Sequence, residues 1–191
     1  SDVKKTPFWK WMWVAWANRD DYKMEWLLCY FATKLQHPSR KINKWLIAYC
    51  RTQGTGKTSV RTFLQAIWDV DKVLFCESID QFMQPENSES INKEWAVLDD
   101  IERCSKKQAD ALKAKITSPT FKFKELYKNA ITLPNFLDMI GTSNSLKPAF
   151  VEADDRRAEM VIVNPELEND KQFWDSFYAS SESTQNNGLW F

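Results

Sequence analysis

Hydrophobic positions recur along this chain with two periods, and their alternation lays out most of its elements. From about Asp20 to Leu35, Trp26, Leu27, Tyr30, Phe31 and Leu35 fall three and four residues apart. That spacing predicts an amphipathic helix, opened by an aspartate cap and ended by "HPSRK". "KWLIAYC", Lys44 to Cys50, is a short apolar run between turn residues and reads as a buried strand. After it, "KTSVRTFLQAIWDV" places Val60, Phe63, Leu64 and Trp68 on one face, which predicts a helix. Further strands are expected at "KVLFCES", within "EWAVLDDIE", at "FLDMIGTSN" and at "AEMVIV". "CSKKQADALKAKITS" and "NDKQFWDSFYA" read as helices, "TFKFKELYKNAITLPNF" alternates like a hairpin, and "SSESTQNNG" reads as a polar tail.

Strands alternating with helices argue for an α/β fold with a largely parallel central sheet flanked by helices. The expected boundaries are a Trp-rich N-terminal helical segment at 1–43, a core at 44–165, and a C-terminal helix and tail at 166–191. A chain of 191 residues can bury one good core but not two large ones. Trp9, Trp11, Trp13 and Trp16 are read as core or subunit-contact residues in preference to a platform for bases, because aromatic rings dominate buried area and interfaces.

Charge narrows the partners. Lys and Arg together number 26, as do Asp and Glu, so any nucleic acid must be met by a local patch and not by a global field. Apolar stretches are broken well before the length of a membrane span. Cys29, Cys50, Cys76 and Cys104 lie too far apart for a metal-ligand spacing, and His37 is the one histidine. These thiols fit a reducing compartment, so the expected location is intracellular. The opening "SDVKK" lacks a methionine or a signal sequence and suggests an internal piece of a longer polypeptide.

The candidate chemistry begins at "YCRTQGTGKTSV", Tyr49 to Val60, between a predicted strand and a predicted helix. Phosphate binding there requires backbone N–H groups converging on the ligand, which glycine permits best, and Gly54 and Gly56 supply that freedom. Lys57 brings a positive charge to the β- and γ-phosphates and the Thr58 hydroxyl can ligate Mg²⁺. Gln53, Gly54, Thr55, Gly56, Lys57, Thr58 and Ser59 are therefore the expected ATP-binding residues. The pattern G-x-x-x-x-G-K-[ST] is met except at its first position, Arg51. "WAVLDDIE" adds two carboxylates at a strand end, Asp99 for the metal and Asp100 to activate water, with Glu102 a weaker substitute. Asn144, closing "MIGTSN", could hydrogen-bond a γ-phosphate and the attacking water. Arg156 and Arg157 could stabilise transition-state charge, or could form a surface ion-pair cluster with Asp154 and Asp155. Lys115, Lys122, Lys124 and Lys128 interleave with Phe121, Phe123 and Tyr127, as a surface that tracks a backbone and stacks bases requires. Period-two alternation with lysines outward and aromatics inward gives the same sequence.

From about Tyr22 to Val163 these motifs resemble the superfamily 3 helicases of viruses, phages and mobile elements, in particular the helicase part of primase-helicase proteins. The resemblance rests on "WLLCYFATKLQHPSRK", "RTQGTGKT", "WAVLDD", the hairpin region, "IGTSN" and "DDRR". It implies an AAA+-like P-loop ATPase core that self-associates, usually as a hexameric ring, holding ATP between subunits with single-stranded DNA in the centre. It also implies Asn144 as a sensing residue, Arg156 or Arg157 as a finger donated to a neighbour's site, and a DNA-contacting hairpin over Lys122 to Lys128. A covalently or functionally linked primase or polymerase is a further expected partner. Competing readings are a P-loop ATPase acting on RNA or in DNA packaging, and an assembly module in which nucleotide joins subunits with little turnover.

Overall fold

The computed structural model describes residues 2–101, 105–145 and 155–187, with side chains as far as Glu182. Cys104, Glu102 and Asp154, named above, lie outside the described residues.

β1, Trp45–Tyr49, is apolar at almost every position because both faces of the sheet are covered at this strand. Its residues alternate between two cores, one on each side of the sheet. Leu46 and Ala48 join one cluster and Trp45 and Ile47 the other. With β2 (Val73–Cys76), β3 (Trp95–Leu98), β6 (Asp138–Ser143) and β7 (Ala158–Ile162) it forms an all-parallel sheet ordered β2-β3-β6-β1-β7. β4 (Thr120–Phe123) and β5 (Ile131–Pro134) form a separate antiparallel hairpin, as the alternation predicted.

The helices are α1 (Pro7–Trp11), α2 (Asp21–Gln36), α3 (Val60–Trp68), α4 (Ile79–Phe82), α5 (Lys106–Thr117) and α6 (Lys171–Asn187), with a π-helical turn at Met12–Trp16. One core holds α1, the π turn, α2, α3 and α6 against the sheet. The other holds α4 and α5. Trp11 and Trp16 are fully buried and Trp9 and Trp13 pack on the same cluster, so the N-terminal tryptophans serve the core. α2 opens at Asp20, whose carboxylate accepts from the Lys23 amide at 3.1 Å, and it ends before Pro38.

The C-terminal stretch departs from expectation. Most of "SSESTQNNG", read as a polar tail, continues α6 to Asn187. Its first two serines are satisfied within the helix: Ser180 Oγ donates to Ser176 O at 2.8 Å and Ser181 Oγ to Tyr178 O at 2.7 Å. Hydroxyls bonded back to the preceding turn do not have to leave the helix to find a partner.

Candidate functional site

The carboxyl ends of β1, β3 and β6 lie side by side, and each delivers one of the predicted groups. From β1 the chain enters the loop 51–59 before α3. β3 leads directly into Asp99 and Asp100, and β6 into Asn144. Crevices at the carboxyl ends of parallel strands are where such sheets hold ligands.

Lys57 is largely buried. Its Nζ donates to Cys50 O at 2.7 Å, to Thr52 O at 3.1 Å and to the side-chain oxygen of Asn144. Thr58 Oγ1 donates to Asp99 Oδ1 at 3.2 Å, and Thr142 Oγ1 donates to the same carboxylate oxygen. Thr142 also accepts from the Asp100 amide at 3.2 Å, and its carbonyl accepts from the Ile101 amide at 3.0 Å. Thus β6 fixes the turn that presents both acids, with Asp100 in the left-handed region at φ 45° and its side chain exposed. Gly141 makes that turn possible by close approach, since a Cβ there would stand 2.7 Å from Ile101 Cδ1.

Among the described residues, no group of three or more His, Cys, Asp or Glu side chains could hold a metal alone. Thr58 and Asp99 instead form a two-oxygen donor set of the kind that completes a Mg²⁺ shell together with phosphate and water. A cavity of about 400 Å³ opens beside the loop, lined by Gly54 to Ser59, Arg61 and Thr62 and by Trp174 and Tyr178 of α6. The residues present therefore fit a phosphate with its metal.

Two aromatic supports of the loop carry no motif. Trp11 Nε1 donates to Gly56 O at 3.2 Å, and the Trp174 indole lies on the Gly56 Cα. Gly56 sits at φ 82°, and a Cβ on it would meet Trp174 Cη2 at 2.2 Å. Gly56→Ala is therefore expected to cost about 1–3 kcal/mol through backbone strain alone and to displace the loop or the indole. A melting temperature and a nucleotide titration on the same variant check this, with both expected to fall. Trp174 and Tyr178 stand one helical turn apart in "FWDSFY", but nothing local in the sequence says what that face covers.

Not every predicted residue gathers here. Gln53 and Arg51 are exposed at the loop's entrance, and Ser59 Oγ lies 3.2 Å from Tyr178 Oη. Arg156 and Arg157 precede β7, whose first residue pairs with Trp45 at the start of β1, so they lie at the opposite end of the sheet. Arg157 Nε donates to Asp155 Oδ1 at 3.0 Å, with Lys113 Nζ 3.6 Å from the other oxygen. Burial pushes the Asp155 carboxyl up, but the backbone and side-chain hydrogen bonds from Arg157 and the nearby positive charges outweigh it and hold it below its ordinary value. Arg156 is exposed and has no hydrogen bond or ion pair among the described residues.

At the hairpin, Phe121 and Phe123 are buried and stacked on each other, with ring centroids 4.8 Å apart. They point inward because successive strand residues face opposite ways, and in this arrangement they present no face to a base. Lys115 is half-buried over the Phe82 and Phe121 rings, at 4.5 and 4.6 Å, and burial lowers its pKa to about 8. Lys122, Lys124 and Lys128 are exposed, as are Leu126 and the nearly bare Tyr127 at the tip. The outward face thus carries Lys122 beside Lys124, which pairs with Glu86 at 3.6 Å, and Lys128, which pairs with Glu125, and its accessible aromatic is at the turn.

No helix among the described residues is long and apolar enough to cross a membrane. No curated protein matches the chain. Among solved structures, the apo C-terminal region of NrS-1 in its A form superposes with a TM-score of 0.73 at 20% identity, covering 91% of this chain and 42% of that one. A second apo structure of that region gives 0.72 at 19%, covering 90% and 43%. The JCV helicase, solved with a thiazolopyridine phenoxyphenyl acetamide, gives 0.56 at 15%, covering 87% and 48%. At these identities the likeness is one of fold, and the chain spans less than half the length of each structure. A family model matches residues 49–157, more than half of the chain, and the chain belongs to that family, described as a family of unknown function (DUF5906).

Proposed function

We propose that this chain is the ATP-hydrolysing core of a DNA helicase or translocase of the AAA+-like, superfamily 3 type. The observation that carries the reading is the convergence of Lys57, Thr58, Asp99 and Asn144 at three adjacent strand ends, with β6 inserted between the loop strand β1 and the acid strand β3. The loop's backbone amides and Lys57 bind the β- and γ-phosphates. Thr58 and Asp99 would hold Mg²⁺, which would neutralise charge on the phosphate oxygens. Asp100, exposed beside it, accepts the proton of the attacking water. Asn144, which accepts from Lys57, orients that water and reports on the phosphate in this reading.

A five-residue strand at about 3.3 Å per residue separates Arg156 from its own loop by about 15 Å, so an arginine from this position serves a neighbouring copy in a ring. Arg156 is the finger in this reading and Arg157 holds the turn through Asp155. Arg156→Ala is expected to lower turnover by about 10³-fold or more, the scale of a donated arginine. Mixing Arg156→Ala with Lys57→Ala subunits should restore part of the hydrolysis, because some interfaces then combine an intact loop with an intact arginine. No restoration counts against shared sites. The exposed Lys122, Lys124, Lys128 and Tyr127 face single-stranded DNA, and a linked primase or polymerase is expected beyond this chain. Stimulation of hydrolysis by single-stranded DNA above that by RNA at matched salt supports the DNA reading. The reverse order favours an RNA translocase.

A further inference from the structure

We infer that Trp174 and Tyr178 of α6 form the nucleobase platform of the site, so that the substrate is a purine nucleoside triphosphate held by phosphates at the loop and by its base on α6. The inference rests on the nucleotide reading given above and extends it to a part of the molecule with no motif.

The phosphate loop ends in space that α6 bounds. The cavity beside it is lined on one side by Gly54 to Ser59 and on the other by Trp174 and Tyr178, and about 400 Å³ is within the range of small-ligand sites. The two rings lie 6.1 Å apart between centroids and 31° from parallel. They form a tilted platform, since a slot that sandwiched a base would need parallel faces further apart. Trp174 is fixed at three points: its Nε1 donates to Leu167 O at 2.7 Å, its ring edge rests on Gly56, and it packs edge-on against Phe173 and Phe177. Tyr178 is tied to the loop through Ser59 and is nearly half exposed at 46%. An aromatic that lines the cavity, is partly exposed and is anchored by its hydroxyl can meet a flat base at little entropic cost. The lining supplies few groups to read a base edge, chiefly Arg61 and Thr62, so affinity should follow stacking area.

Calorimetric titration of the whole chain with ATP, CTP and inorganic tripolyphosphate separates the base from the phosphates. Stacking of one base is worth about 1–3 kcal/mol, a factor of about 5–150. Trp174→Ala is expected to weaken ATP by about tenfold or more beyond whatever loss tripolyphosphate shows from releasing Gly56, with ATP tighter than CTP on the wild type. Trp174→Phe should stay near wild type, because it keeps a stacking face and its neighbours' packing. Equal losses for ATP and tripolyphosphate in Trp174→Ala would make the indole a mere support of Gly56 and overturn the inference, as would unchanged ATP affinity. The nucleotide reading fails separately: wild-type protein that binds neither ATP nor tripolyphosphate, or Lys57→Ala protein that binds both as well as wild type, removes that reading and this inference with it.

Discussion

Lys57→Ala is expected to reduce ATP hydrolysis by about 10²–10³-fold, the scale for removing one preorganised charged donor from a transition state. Its ammonium is nearly buried and ties three elements together: the end of β1 through Cys50 O, the loop through Thr52 O and the end of β6 through Asn144. The substitution therefore also leaves buried acceptors unpaired, at about 1–3 kcal/mol of stability. Asp100→Asn separates the two effects. Asp100 is exposed and its side chain has no hydrogen bond or ion pair among the described residues, so its loss should change stability by less than about 0.5 kcal/mol. Turnover should still fall by about 10²–10⁴-fold, the range for removing a general base. A urea titration beside a turnover assay on each variant checks both halves. Asp100→Asn protein with wild-type turnover would assign the base elsewhere.

Lys34→Met is expected to cost about 3–5 kcal/mol, a large part of the whole stability of such a domain. Lys34 and Asp138 form an ion pair at 2.9 Å with both side chains essentially inaccessible to solvent. Lys34 also donates to Phe136 O, and Asp138 Oδ1 accepts from the Ile42 amide at 3.0 Å. The pair joins α2 to the first residue of β6 and so helps to seat the strand that carries Thr142 and Asn144. Without Lys34 a carboxylate stays buried with Lys41 as its remaining nearby cation among the described residues. Burial already raises the Asp138 pKa, with Lys34 pulling it back, so losing Lys34 raises it further. A carboxyl whose folded pKa lies above its unfolded value binds its proton more tightly when folded. The variant should therefore regain stability as pH falls from neutral through that raised pKa towards the ordinary carboxylate range. A double change of Lys34→Met with Asp138→Leu should recover most of the loss, because replacing both members of a buried pair by apolar groups is often neutral. Urea midpoints at constant slope measure each case. A Lys34→Met midpoint within about 0.5 kcal/mol of wild type would mean that the pair is not the anchor described here.

Much of the site was legible because its signals are local. A strand, two glycines, Lys-Thr and a helix within a dozen residues can be read from order alone, as can an apolar run ending in Asp-Asp or one ending in Asn. Their convergence follows from parallel strands, whose carboxyl ends share one edge of the sheet. What was not legible depends on contacts between distant segments. Trp174 reaches Gly56, and Trp11 reaches it from the other end of the chain. The pairing of Lys34 with Asp138 joins a helix to a strand about a hundred positions on, and neither residue's neighbours announce it. Alternation placed the hairpin correctly but not its faces: Phe121 and Phe123 turn inward, leaving Tyr127 as the exposed ring. Ser180 and Ser181 of α6 misled for a related reason, since their hydroxyls have partners inside the helix that composition does not reveal.

ATP hydrolysis at the Lys57 loop in response to single-stranded DNA is the activity proposed for this fold. Phosphate release by wild-type and Lys57→Ala protein, measured with Mg²⁺ and with or without single-stranded DNA at one fixed salt concentration, tests it most directly. Turnover should rise with DNA in the wild type and be lost in Lys57→Ala. Wild-type turnover at background with DNA present, or hydrolysis that survives Lys57→Ala, would contradict it.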